Sequence, residues 1–200
     1  MQKMTHWILT LFIMFSLTQV LSANEEEVLK DHFLNTLQEV KVIVQNIKIS
    51  KEKKFEDVIK ILTPTFDFEL MAKLSLGKKN WNKLSKSDQL RFVSIYTDRM
   101  KKSYSAKLDS YNDQIIKITS VVKKKNRMFI KTYMESANKR LDVVYKFYKP
   151  KKPKVAKDTW LIYDVEIVGI SILKADKAQF KDFLQTKSLE ELMVALQEQD

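Results

Sequence analysis

The chain has 200 residues, a formal net charge of +11 at pH 7, and no cysteine. This length suits one domain that can bury a sizeable core. Without a thiol, the chain has no disulfide, thiolate nucleophile or cysteine-ligated metal, so packing must hold the fold together.

The first residues have the features of a secretory signal peptide. Lys3 supplies a positive charge, Trp7–Leu17 is apolar, and small residues end the segment. That apolar run is short for a membrane core of ~30 Å, which favours a cleaved signal over a retained anchor. We expect a signal peptide over 1–23, with cleavage near Ala23, and one domain over 24–200. Export argues against a nucleic-acid partner and favours anionic head groups or acidic proteins.

Four helices are predicted in the first half of the chain. Apolar residues recur at steps of three and four over 25–49. A shorter helix follows Ser50, which is a candidate N-cap, and a third ends where Gly77 can adopt a left-handed conformation. The fourth starts at Ser85 and Asp88, which have capping-box spacing.

The fourth helix carries an aromatic stripe at steps of four and three. Such a stripe is most often ordinary core, and its spacing does not say what covers it. Its members are Phe92, Tyr96, Met100, Tyr104, Leu108 and Tyr111.

After Tyr111 the period changes to that of β-strands. Four β-branched and aromatic segments are separated by polar turns: Gln114–Lys124, Arg127–Ser136, Arg140–Lys149 and Thr159–Ile167. Short connections between successive strands predict an antiparallel meander. Two helices close the chain, so the order of elements predicts an α+β fold.

The sequence offers little for catalysis. Outside the first 23 residues the only histidine is His32, within an amphipathic helix. Asp164 and Glu166 could form a carboxylate pair, but no partner set accompanies them. A salt bridge or a solvated strand edge explains both better. We therefore predict no catalytic residue, no metal site and no enzyme activity.

Two blocks of sequence carry distinctive motifs. The block Phe66–Tyr111 opens with Phe-Asp-Phe, continues with Leu-Gly-Lys-x-x-Trp at 76–81, and ends in the aromatic stripe. The block Trp160–Ser171 reads Trp-x-x-Tyr-Asp-Val…Gly-Ile-Ser. Together the blocks resemble the MlaC family, the periplasmic phospholipid-binding proteins also known for toluene tolerance, in which valine is usual at the position of Ile170.

This resemblance implies a twisted four-stranded antiparallel sheet wrapped by about six helices in an NTF2-like arrangement. An apolar cavity between the layers would hold acyl chains and leave the head group outside. The function implied is a periplasmic phospholipid carrier that shuttles lipid between the membranes and maintains outer-membrane asymmetry. The bound phospholipid is cargo, and no cofactor is implied.

The resemblance also implies partners and a set of lipid-binding residues. The partners would be an inner-membrane ABC transporter complex with an MCE-domain ring and an outer-membrane lipoprotein–porin complex, with the carrier itself monomeric. The expected lipid-binding residues are large and apolar or aromatic. They are Phe68, Met71, Leu74, Trp81, Phe92, Tyr96, Met100, Tyr104, Val143, Tyr145, Phe147, Tyr163, Val165 and Ile170.

Two other classes of protein remain open on the residues alone. An exported interaction protein or chaperone would have a filled interior and a large exposed apolar patch. An NTF2-like enzyme acting on a hydrophobic substrate would need a buried carboxylate beside a tyrosine. Asp164 next to Tyr163 is the candidate, although adjacent strand residues point to opposite faces.

Overall fold

A computed structural model of the chain describes residues 25–108, 115–136, 139–151 and 159–198. The predicted signal peptide lies outside the described residues. The described part contains seven α-helices and five β-strands. The helices are α1 (25–45), α2 (Lys51–Leu62), α3 (Phe68–Leu76), α4 (Lys78–Trp81), α5 (Lys86–Leu108), α6 (Ile172–Phe183) and α7 (Leu189–Glu198). The strands are β1 (Ile115–Lys124), β2 (Arg127–Ser136), β3 (Lys139–Tyr148), β4 (Leu161–Ile167) and β5 (Ile170–Ser171).

Polar side chains and a glycine define several helix boundaries; the Ser50 cap was predicted and the Asp67 cap was not. The Ser50 side chain accepts a hydrogen bond from the Lys53 backbone and begins α2. Asp67 does the same for α3 through the Leu70 N–H. Gly77 ends that helix at φ 78°, a conformation that a side chain would strain.

The strands form one open antiparallel sheet in the order β1-β2-β3-β4-β5. The α+β class and the meander are confirmed. The predicted number of strands was wrong, because a fifth strand of two residues, Ile170–Ser171, pairs with the end of β4. The described residues hold seven helices, and about six were predicted. The NTF2-like description is also inexact, because the sheet is an open meander.

Both residues of the turn between β4 and β5 have positive φ angles. Val168 has a φ of 49° and Gly169 a φ of 78°. A β-branched residue is strained in this region, whereas glycine is not. The turn reverses the chain so that Ser171 can begin α6, where its side chain accepts a hydrogen bond from the Lys174 N–H.

The buried apolar residues form two clusters on different parts of the fold. The helical core lies among α3, α5, α6 and α7 and centres on Phe92, Tyr96 and Phe180, which are fully buried. The sheet core lies between α1 and one face of the sheet and includes Leu29 and Phe33. In the described part of the chain, no helix is long and apolar enough to cross a membrane.

Candidate functional site

An apolar cavity lies within the sheet core, between α1, α2 and the covered face of the sheet. Its volume is about 240 Å³, and the described residues that line it carry no carboxylate, ammonium or guanidinium group. The lining residues are Leu29, His32, Phe33, Thr36, Leu37, Val40, Ile59, Leu62, Thr65, Phe66, Ile116, Met134, Val143, Tyr145, Phe147, Trp160, Ile162, Val165 and Ile167.

Apolar side chains from β3 and from α1 face each other across this space, because each element has an apolar face. Alternation along β3 puts Val143, Tyr145 and Phe147 on the covered face of the sheet. Along α1, Leu29, Phe33, Leu37 and Val40 recur at steps of four and three, so they share one face of the helix. The Phe33 ring lies 4.8 Å from the Tyr145 ring and 6.2 Å from the Phe147 ring, which ties helix and sheet together.

A larger and more polar pocket, which we call the vestibule, adjoins the cavity. Its volume is about 670 Å³, and it shares Leu29, His32, Thr36, Thr65 and Trp160 with the cavity. The other lining residues are Glu25, Val28, Asn35, Glu39, Ile61, Pro64, Lys149 and Thr159. The vestibule therefore places charged groups beside the apolar cavity, and the two pockets share part of their walls.

An ionic cluster stands at the rim of the vestibule. The Glu25 carboxylate receives Lys123 Nζ at 2.5 Å and Lys149 Nζ at 3.2 Å. The hydrogen bond from Lys123 lowers the pKa of Glu25 below its usual value, although burial acts in the opposite direction. The cluster joins the first described turn of α1 to the ends of β1 and β3.

Four of the predicted lipid-binding residues line the cavity. Val143, Tyr145 and Phe147 come from β3, and Val165 comes from β4. Their neighbours in the lining include residues that were not predicted from the sequence, notably those of α1.

Six others belong to the helical core instead. Met71, Trp81, Phe92, Tyr96 and Met100 are buried there, and Phe68 packs against it. The α5 stripe is covered by Phe180 of α6, whose ring lies 6.2 Å from Phe92 and 6.4 Å from Tyr96. The Tyr96 hydroxyl donates to Asp176 at 2.8 Å, so its polar end has a partner within the core.

Of the remaining four predicted residues, three lie elsewhere. Leu74 is 37% exposed and Ile170 is 67% exposed. Tyr163 is buried against the Tyr148 ring, 5.9 Å away, and the Arg127 guanidinium lies 5.3 Å from its ring. The side chain of Tyr104 lies outside the described residues.

The lining residues of α1 were not predicted to be pocket residues, although the helical spacing of their apolar side chains was visible in the sequence. Their helical period was clear, but the pattern alone does not say which surface the apolar face covers. Ile59 and Leu62 of α2 and Thr65 in the following turn were missed for the same reason.

The carboxylate pair of β4 is a structural element. Lys146 Nζ lies 3.0 Å from Asp164 and 2.7 Å from Glu166. Burial opposes the charge on Lys146, but hydrogen bonds to Glu166 and Asp164 outweigh it and raise its pKa. Asp164 also accepts from the Ser171 hydroxyl at 2.7 Å and from the Leu173 N–H at 3.1 Å, which secures the start of α6.

Metal ligands are absent from the part of the chain that the structure describes: no cluster of three His, Cys, Asp or Glu side chains could hold an ion. The fold and the site together define an α+β protein with an apolar cavity between a helix and an antiparallel sheet.

Comparison with known proteins identifies the family. Residues 34–198 match the MlaC protein family, so the chain belongs to the MlaC family. A solved structure of a phospholipid-binding protein from Ralstonia solanacearum, in complex with a phospholipid, is similar at a TM-score of 0.71 and 16% identity. The match covers 83% of this chain and 93% of that one, and it shows a shared fold. The comparison with curated proteins gives no match.

Proposed function

We propose that this protein binds a phospholipid by its acyl chains and carries it across the periplasm. The observation that carries the proposal is the apolar cavity with its open vestibule. Small-molecule sites usually have volumes of about 300–1,000 Å³. The cavity alone is smaller, at about 240 Å³, but it joins a vestibule of about 670 Å³. The tails would occupy the cavity and the inner vestibule, with the head group at the rim.

The energetics explain why a carrier needs such a space. A two-chain phospholipid has roughly 30 methylene groups, each worth about 0.8 kcal/mol when removed from water. Crossing an aqueous compartment unprotected would therefore cost on the order of 20 kcal/mol. An apolar cavity removes most of this cost, because bilayer and cavity offer similar environments. Handover then requires contact with a membrane or a partner, and no covalent chemistry.

Family membership and the phospholipid-bound structural neighbour support this proposal. The open space in the sheet core disfavours a solid-cored interaction protein, which would fill that region with its own side chains. We extend the proposal to a monomeric carrier exported by the signal peptide over 1–23. Its partners would be the MCE-domain transporter complex and the outer-membrane lipoprotein–porin complex, and its role would be to maintain outer-membrane asymmetry.

A vesicle transfer assay tests the carrier function. Donor vesicles hold a quenched fluorescent phospholipid, acceptor vesicles hold none, and protein is added at far below the lipid concentration. We expect transfer well above the rate without protein and proportional to the protein concentration. Transfer no faster than the protein-free control would contradict a carrier role.

A further inference from the structure

Two lysine ammonium groups converge on one anion at the rim of the vestibule. Lys123 Nζ contacts one oxygen of the Glu25 carboxylate at 2.5 Å, and Lys149 Nζ contacts the other at 3.2 Å. The lysine side chains are 22% and 30% exposed. The pair therefore forms a two-point anion site, partly shielded from water, that the protein's own carboxylate fills.

The strands place this site in line with the cavity. Lys149 follows Val143, Tyr145 and Phe147 at alternate positions, so it continues the row that forms the cavity floor. Val121 precedes Lys123 by two residues and belongs to the same covered face, where it packs against the sheet core. Each lysine therefore lies at the end of a row of apolar residues on the covered face of the sheet. Lys149 and Glu25 also line the vestibule.

We propose that Lys123 and Lys149 bind the phosphate of the carried lipid, and that Glu25 occupies this anion site when no lipid phosphate is present. The inference rests on the proposed lipid-binding function and names the group that the protein recognises. A phosphodiester carries one negative charge and two terminal oxygens, as a carboxylate does, so the exchange conserves charge. Lysine binds phosphate as a point charge and imposes no planar geometry.

Glu25 can leave the anion site without becoming a buried, unpaired charge. Its side chain is 37% exposed, so water can solvate the released carboxylate. The two lysines would have a partner in both states, which avoids leaving partly buried cations unpaired.

The consequence is selectivity for the phosphate rather than for the alcohol attached to it. Diacylglycerol has the same tails but no phosphate, so it cannot replace Glu25. Phosphatidylglycerol and phosphatidylethanolamine both carry the phosphodiester and should load alike through these lysines. In the wild type the phosphate replaces one anion by another, so we expect a phospholipid preference of only a few-fold. In Glu25→Gln, where no carboxylate competes, we expect about ten-fold or more, the size of one hydrogen bond between charged groups.

The test compares the wild-type protein with Lys123→Gln/Lys149→Gln and with Lys124→Gln. Lys124 is the matched control, because it is the next residue on β1, is exposed, and lies over the Phe129 ring rather than at the rim. Each protein, purified after export and stripped of lipid, is incubated with vesicles of equimolar phosphatidylglycerol and diacylglycerol with identical tails. Native mass spectrometry then gives the total lipid per protein and the ratio of the two lipids.

The expected result is a phospholipid preference in the wild type and in Lys124→Gln that is lost in the double variant. Glu25→Gln, which removes the competing carboxylate, should increase the preference. Equal ratios in all four proteins, with lipid bound, would overturn this inference and leave the proposed function standing. Absence of lipid from the wild type would overturn both.

A further arm separates lipid phosphate from free phosphate. Inorganic phosphate at millimolar concentration is added during loading. Because the lipid phosphate is held in place by its tails, the preference should persist. Loss of the preference, with phosphate bound to the lipid-free wild type, would make this a free-phosphate site and overturn the proposal.

Discussion

Val143→Asp is expected to remove most of the bound lipid from the protein. Val143 is 3% exposed, lies in the middle of β3, and forms part of the cavity floor. A carboxylate there would meet no cation among the described lining residues, and burying it beneath acyl chains would cost several kcal/mol. Lipid per protein should therefore fall by roughly ten-fold or more, as measured by native mass spectrometry.

The matched control is Val144→Asp, one residue along the same strand. Val144 is half-buried on the opposite face of the sheet, so the new carboxylate can reach water and loading should be unchanged. Leu37→Asp repeats the test from the α1 wall, where a half-buried position is less critical for folding. Circular dichroism confirms that each variant folds. Full loading of folded Val143→Asp and Leu37→Asp would contradict the cavity as the lipid site.

Asp164→Ala should destabilise the fold by about 3 kcal/mol, the cost of removing one partner of a buried ion pair. Asp164 is 3% exposed and accepts hydrogen bonds from Lys146, Ser171 and the Leu173 backbone. The substitution leaves Lys146 with Glu166 alone and releases the first turn of α6 from β4. Urea unfolding should show the loss as a lower midpoint, and Tm should fall by roughly 6–12 °C.

Asp142→Ala is the control for the loss of one carboxylate. Its side chain is 63% exposed and pairs with Arg140, so the change should cost no more than about 1 kcal/mol. Unfolding of Asp164→Ala at the same urea concentration as Asp142→Ala would contradict this prediction. The ion pair with Lys146 and the hydrogen bonds to Ser171 and Leu173 would then contribute no more stability than a surface ion pair.

The strands were predictable because alternation is a local property. Three of the four predicted segments match the observed strands to within one residue at each end, and β4 begins two residues later than predicted. Strand β5 escaped prediction because Ile170–Ser171 is too short to show any period. Helix α4 has four residues and was missed for the same reason.

The site was less predictable than the fold, because periodicity shows that a face is buried but not what covers it. The stripe of α5 and the apolar face of α1 have similar spacing. The first packs against Phe180 in the helical core, and the second faces the cavity across from β3. Only the arrangement of the helices on the sheet separates them. The ionic cluster of Glu25, Lys123 and Lys149 joins residues 98 and 124 positions apart, which no local pattern could connect.

Native mass spectrometry of the exported, purified protein tests most directly whether the cavity holds acyl chains. Gentle ionisation preserves a bound lipid, and extraction with organic solvent then identifies it. We expect an added mass of phospholipid at close to one per protein, which disappears after extraction. A protein whose mass matches the bare chain, and which takes up no phospholipid from vesicles, would contradict a lipid-holding cavity.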